Sequence, residues 1–187
     1  MRVISGQYRS RPLRSLPGMD IRASSDRLRE TLFNVLTAGS PEALSGSVWL
    51  DLYAGTGAVG IEALSRGAAM VYFVESSANA VAVIRKNVNS LGIEGGFQVI
   101  ALDVRRALRQ LDSLSVRADF CFLDPPYRFQ EAYRSTLDRL GNSQLLNPAA
   151  TVIAEHEKKF DPGETFGCLK RFRKLVQGDA ALSFYGL

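Results

Sequence analysis

The sequence predicts an α/β domain, a parallel sheet with helices packed on both faces. Three observations carry that prediction. From residue 47 onward, short apolar runs alternate with segments of helical period. The runs are brief and apolar throughout, as strands covered on both faces are. A chain of 187 residues, 46% hydrophobic and 22% charged, can bury the core of one domain, which excludes a disordered protein.

Taken in order, residues 2–16 read as extended chain with a tip, interrupted at Gly6 and Gln7, and Pro17-Gly18 marks a turn. Ser24-Ser25-Asp26 opens a helix over 25–38. Its apolar face holds Leu28, Leu32, Val35 and Leu36, and its polar face Arg27, Arg29 and Glu30. A loop runs from Gly39 to Gly46, then a strand over 48–50 and a helix over 59–66. The second strand, 70–74, ends at Glu75. The next helix, 77–91, points Ala80, Val83, Ile84, Val88 and Leu91 inward, with Gly92 as its C-cap. Strand three spans 97–102 and a helix 104–111. Strand four spans 120–123 and runs into Asp124-Pro125-Pro126-Tyr127. A helix over 129–140, a strand over 150–154 and a hairpin (171–176 and 181–185) around Gly178-Asp179 complete the chain. The expected organisation is an N-terminal arm over 1–22 and one α/β domain over 23–187.

Charge separates the two parts. Residues 1–22 carry Arg2, Arg9, Arg11, Arg14 and Arg22 against Asp20 alone, whereas the other 165 residues hold 18 basic and 18 acidic side chains. A basic arm on a neutral body suits a polyanion, because arginine forks bind phosphates. Lys170, Arg171, Arg173 and Lys174 form a second cluster, which reads equally as a solvated face. Two distant cysteines, Cys121 and Cys168, fit a reduced, cytoplasmic chain. A single histidine, His156, excludes multi-histidine metal sites, so no metal is expected. No apolar run reaches membrane-spanning length, and the first residues lack a secretory signal pattern.

In folds of this class ligands sit beyond the carboxyl ends of the strands. Gly55-Thr56-Gly57-Ala58-Val59-Gly60 matches a nucleotide-binding glycine pattern between a strand and a helix, and Glu75 follows 20 residues after Gly55, where an acid binds ribose hydroxyls. NAD and S-adenosylmethionine both fit so far. Asp51, four residues before Gly55, would repel a pyrophosphate but suits a ligand carrying an ammonium and a sulfonium. Asp103, after strand three, can accept a hydrogen bond from an adenine amino group. These acids favour S-adenosylmethionine.

Asp124-Pro125-Pro126-Tyr127 closes an apolar strand. Its prolines fix the backbone and remove two N–H donors, which leaves the Asp124 carboxylate and the Pro125 carbonyl as acceptors. Such acceptors suit a planar exocyclic amine, whose lone pair is delocalised into its ring. They would draw density onto nitrogen, Asp124 would take the proton, and Tyr127 would stack on a flipped-out base.

With these residues the chain resembles the bacterial 16S ribosomal RNA guanine-N2 methyltransferases (RsmD type). The resemblance rests on Arg2-Val3-Ile4-Ser5-Gly6, on residues 25–36 (SDRLRETLFNVL), on Leu50 to Gly57, on Gly60 to Ala68 (GIEALSRGA) and on Phe122 to Tyr127, and covers essentially the whole chain. It implies a class I S-adenosylmethionine-dependent methyltransferase fold, Rossmann-like, with seven strands, the last antiparallel. It implies S-adenosylmethionine at Asp51, Ala54, Gly55, Thr56, Gly57, Glu75 and Asp103, with the loop at Arg22 and Ser24 bordering the methionine end. It implies guanine at Asp124, Pro125 and Tyr127, and an arm that grips RNA through Arg2, Arg9, Arg11 and Arg14. The implied partner is 16S ribosomal RNA in an assembling small subunit, and a monomer is the expected state for a small enzyme on a large substrate. Where the family has Arg-Pro-Thr, this chain has Arg22-Ala23-Ser24 and lacks the stiffening proline.

Three other readings stand beside this one. A DNA adenine-N6 or cytosine-N4 methyltransferase would use the same turn, but 187 residues leave little room for a domain that reads DNA sequence. A basic RNA-binding protein with a vestigial pocket would have no need of an intact Asp124, Gly55 and Gly57. An NAD oxidoreductase leaves Asp51 and the Asp-Pro-Pro-Tyr turn unexplained.

Overall fold

The structure, a computed structural model, describes residues 1–16 and 23–187, and within helix α1 the side chains from Asp26 onward. The Pro17-Gly18 turn lies outside the described residues.

The elements alternate as the apolar pattern demands: α1 (Ala23–Thr37), β1 (Val48–Leu52), α2 (Ala58–Ser65), β2 (Met70–Val74), α3 (Ala78–Ser90), β3 (Phe97–Ile100), α4 (Val104–Ser113), β4 (Ala118–Leu123), α5 (Gln130–Gly141), β5 (Leu146–Glu157), β6 (Thr165–Phe166), β7 (Leu169–Gln177) and β8 (Ala180–Gly186). They form one sheet in the order β3-β2-β1-β4-β5-β8-β7-β6. Strands β1 to β5 pair in parallel, whereas β8 is antiparallel to both β5 and β7. Seven of these strands match the expected sheet, with its last strand antiparallel. The eighth, β6, is a two-residue strand at the edge, too short to leave a periodic signal.

Side chains alternate across the sheet and divide the core in two. Trp49, Phe73, Phe122 and Ile153 pack with Leu32 and Phe33 of α1, Ile61 of α2 and Ile84 of α3. Leu50, Leu52, Cys121 and Val152 pack on the other face with Leu108 of α4 and Leu137 of α5. Burial on both faces is what makes the central strands read as unbroken apolar runs.

Two expectations need correction. Strand β5 begins at Leu146 rather than Ala150, because the β4–β5 register shifts between Ala118 and Phe120 and Pro148 and Ala149 stand exposed in the irregularity. Arg29 does not lie on a solvated face. It is 4% exposed, and its guanidinium donates to the Arg2 carbonyl and to Asp26.

That contact seats the N-terminal segment. Residues 1–13 double back through an antiparallel bridge between Arg2 and Pro12, and Val3 and Leu13 enter the core beside α1 to α3. Gly6, at φ 81°, lies so close to α2 that a Cβ would sit 1.8 Å from the Ser65 carbonyl oxygen. Among the described residues no helix is long and apolar enough to cross a membrane.

Candidate active site

Sheet register fixes the site. Leu123, Leu52, Val74 and Ile100 lie in one row across β4, β1, β2 and β3. The chain leaves the sheet just beyond that row at four neighbouring points, so Asp124, the Tyr53–Gly57 loop and Glu75 emerge side by side. Strand order reverses between β1 and β4, the position where open α/β sheets bind ligands.

Tyr53 starts the glycine loop at φ 60°, a region costly for a tyrosine, and its hydroxyl pairs with Thr136 of α5 at 2.9 Å. Ala54 N–H donates to the Val74 carbonyl, and Gly57 N–H to the Ala54 carbonyl at 2.7 Å. Gly55 and Gly57 adopt φ 56° and 77°, and Gly57 caps α2. Gly60 serves packing, since a Cβ there would sit 2.3 Å from Phe73.

Glu75 accepts from Gly55 N–H at 2.9 Å and from Ser77 N–H at 2.8 Å, so one carboxylate ties the loop to the start of α3. Asp51 points toward α2 and accepts from Gly60 N–H at 2.9 Å. It is 2% exposed. Burial pushes its carboxyl up to about 8. The Gly60 bond opposes that rise, and the carboxylates of Asp124 and Glu75 add to it. Asp103 is exposed at the start of α4, where it caps Arg106 N–H at 3.0 Å and pairs with the Arg106 side chain.

Beside the glycine loop Asp124, half-buried, follows β4, and its N–H reaches the Leu52 carbonyl at 3.4 Å. Tyr127 is half-buried beside it in sequence. The Pro125 carbonyl is engaged already, accepting from the Tyr133 hydroxyl at 3.1 Å. A carbonyl oxygen has a second lone pair, which can still accept from a substrate amine. Burial, with Asp124 and Tyr127 nearby, holds the Tyr133 hydroxyl well above its ordinary pKa, so it remains a donor.

The remaining predicted residues lie elsewhere. Arg2, Arg9, Arg11 and Arg14 are exposed on the N-terminal segment, and Arg11 also donates to the Ser90 carbonyl at 3.3 Å. Arg22 lies outside the described residues. Ser24 falls inside α1, and its side chain is outside them too.

Sequence reasoning missed Tyr133, Thr136, Glu62 and Asn87. The last two carried a signal: each is a polar residue set among buried apolar positions of its helix.

Three carboxylates around one turn of backbone with positive φ fit a cationic, adenosine-bearing ligand better than a pyrophosphate. Nearby positive charge would relieve the burial that raises Asp51.

A protein-family model described as Conserved hypothetical protein 95 matches residues 1–186. Ribosomal RNA small subunit methyltransferase D of Escherichia coli K12 is 32% identical over 185 residues, which cover 99% of this chain and 89% of that protein. The chain belongs to the methyltransferase D family. Another member, from Haemophilus influenzae, is 34% identical over 159 residues, covering 84% of this chain and 79% of that methyltransferase D. Among solved structures, a hypothetical protein of Thermus thermophilus superposes with a TM-score of 0.83 at 27% identity, covering 100% of this chain and 99% of that one. The methyltransferase D resemblance therefore spans the N-terminal segment as well as the sheet.

Proposed function

We propose that this chain transfers a methyl group from S-adenosylmethionine to the exocyclic N2 amine of a guanine in 16S ribosomal RNA, acting in the cytoplasm as a monomer on an assembling small subunit. Membership of the methyltransferase D family supports the rRNA methyltransferase class. The observation that carries the reading is the pairing of β1 with β4, which opens the glycine loop and the Asp124 turn onto one crevice.

S-adenosylmethionine supplies, when bound, an electrophilic methyl group on sulfur. Gly55, Thr56 and Gly57 would cradle it with Ala54. Glu75 would take the ribose hydroxyls, Asp103 the adenine amino group, and Asp51, once ionised, would balance the methionine ammonium. Asp124 and the second lone pair of Pro125 accept the two amine hydrogens and orient the nitrogen. Asp124 would take the proton that the amine gives up on methylation. Tyr127 stacks on the flipped base.

Just past the turn, the exposed Arg128 guanidinium lies 4.8 Å from the exposed Phe129 ring centroid. A stacked cation–aromatic pair beside the amine site suits a neighbouring nucleobase. Arg2, Arg9, Arg11 and Arg14 supply phosphate contacts on a preformed arm. A folded RNA brings its own shape, so a small enzyme can suffice.

Labelled S-adenosylmethionine offered with naked 16S RNA, unmodified small-subunit particles or duplex DNA, followed by digestion to nucleosides, tests the reading. Label in N2-methylguanosine is expected, and the better acceptor names the substrate. Label in N6-methyladenine of DNA would overturn the substrate, and no label despite cofactor binding would overturn the activity.

A further inference from the structure

We infer that Asn87 is a positioning residue that joins the N-terminal arm to the cofactor loop, so that an occupied loop and an RNA-bound arm stabilise one another. The RNA half of this inference rests on the function proposed above.

Asn87 sits on the apolar face of α3 between Ile84 and Val88 and is fully buried. A polar side chain there is unfavourable unless its hydrogen bonds are made. Its Oδ1 accepts from Arg14 N–H at 2.8 Å, and its Nδ2 donates to the Arg14 carbonyl at 3.2 Å. The amide thus pairs with Arg14 as a neighbouring strand would. The same Nδ2 donates to the Thr56 carbonyl at 2.9 Å. One side chain therefore holds the arm and the glycine loop together.

The held carbonyl matters because Thr56 lies between Gly55 and Gly57, both at positive φ, where peptide planes re-orient with little steric resistance. A second contact runs alongside: Met1 Sδ lies 3.8 Å from Thr56 Oγ1, and the Met1 carbonyl accepts from Leu13 N–H at 3.0 Å. A ligand that orders Thr56 thereby orders Asn87 and, through it, Arg14. The coupling is reciprocal by linkage, so RNA held by the arm must tighten the cofactor equally.

The test follows amide hydrogen exchange of Arg14 by NMR, with and without saturating S-adenosylhomocysteine, in the parent chain, Asn87→Asp and Asn87→Ala. The Asp variant keeps the acceptor for Arg14 N–H and loses both donors, and the Ala variant loses everything. In the parent, S-adenosylhomocysteine is expected to slow Arg14 exchange by about tenfold and tighten RNA binding by about five- to tenfold, both shrinking to less than about twofold in the variants. An Arg14 amide indifferent to S-adenosylhomocysteine in the parent overturns the inference whether or not the variants fold, and so does equal slowing in Asn87→Asp. If exchange responds but RNA affinity does not, the arm and loop are joined without RNA linkage, and the inference fails as stated. Calorimetry on the parent chain keeps this separate from the proposed function: S-adenosylhomocysteine that does not bind at all would overturn the cofactor assignment as well.

Discussion

Replacing Asp124 by Ala removes the carboxylate assigned to the amine proton and leaves the glycine loop intact. We expect kcat to fall by about 10²–10⁴-fold with cofactor affinity unchanged by calorimetry, and near-parental turnover would refute the assignment. Tyr133→Phe deletes only the bond that orients Pro125, so turnover should fall by less than about tenfold while the KM for cofactor holds. Asp51 makes a separate, pH-dependent prediction. Its carboxyl titrates near 8 in the folded protein against 3.8 ordinarily, so the folded state binds the extra proton. A raised carboxyl contributes stability that is full below the lower value and is lost as pH climbs through the higher one. Thermal stability without cofactor should therefore decline between about pH 4 and pH 8, and Asp51→Asn should flatten that decline while weakening the cofactor. Because the ligand ammonium pulls the carboxyl back down, binding near pH 7 should release protons, read from calorimetry in buffers of different ionisation enthalpy. Proton uptake would contradict this. The position of Asp51 was legible from its spacing to Gly55. Its inward orientation was not, because alternation along β1 assigns a face only once the register with β2 and β4 is known.

The elements were legible wherever a period lasted several residues, which is why α2, α3, β2 and β4 fall within two residues of expectation. β6 is too short for any period, and β5 conceals a register shift around Pro148. The packing of the arm left only faint marks, because Val3-Ile4 and Leu13 are isolated apolar positions in an arginine-rich stretch. What fastens the arm is polar. Glu62 is fully buried in α2, accepts from Ile4 N–H at 2.7 Å and Ser5 N–H at 2.9 Å, and pairs with Arg66 at 2.8 Å and more distantly with Arg29. Burial lowers the pKa of Arg29, and Asp26 and Glu62 oppose that shift. Removing the shared carboxylate unpairs Arg66, takes the acceptor from Ile4 and Ser5 N–H and leaves Arg29 with Asp26 as its counterion, so Glu62→Ala should lose about 3–5 kcal/mol in urea denaturation. The same variant should expose the arm to trypsin at Arg9. A variant as stable and as resistant as the parent would mean that Val3 and Leu13 alone hold the arm.

Across the whole molecule, two basic clusters compete for the role of RNA contact, and the structure treats them differently. In the C-terminal cluster Arg171 bonds Asp161 at 2.6 Å and Lys174 bonds the same carboxylate at 3.1 Å, so two of its four cations are already compensated. These bonds hold the Asp161 carboxyl well below its usual range. On the arm, Arg2, Arg9 and Arg14 project from a backbone that Glu62, Asn87 and Ser65 hold in place. Preformed cations lose less conformational freedom on binding than those of a loose tail. Counterion release turns this contrast into a measurement, because each phosphate contact adds about 0.7–0.9 to the slope of log K against log salt. Arg9→Ala with Arg11→Ala should weaken RNA binding and reduce that slope by about 1.4–1.8. Arg171→Ala should leave the slope where it was, since its charge is turned inward onto Asp161. If the reverse were found, with the arm variants silent and Arg171→Ala flattening the slope, RNA would approach across β7, and the arm would be a structural strap over α2 and α3.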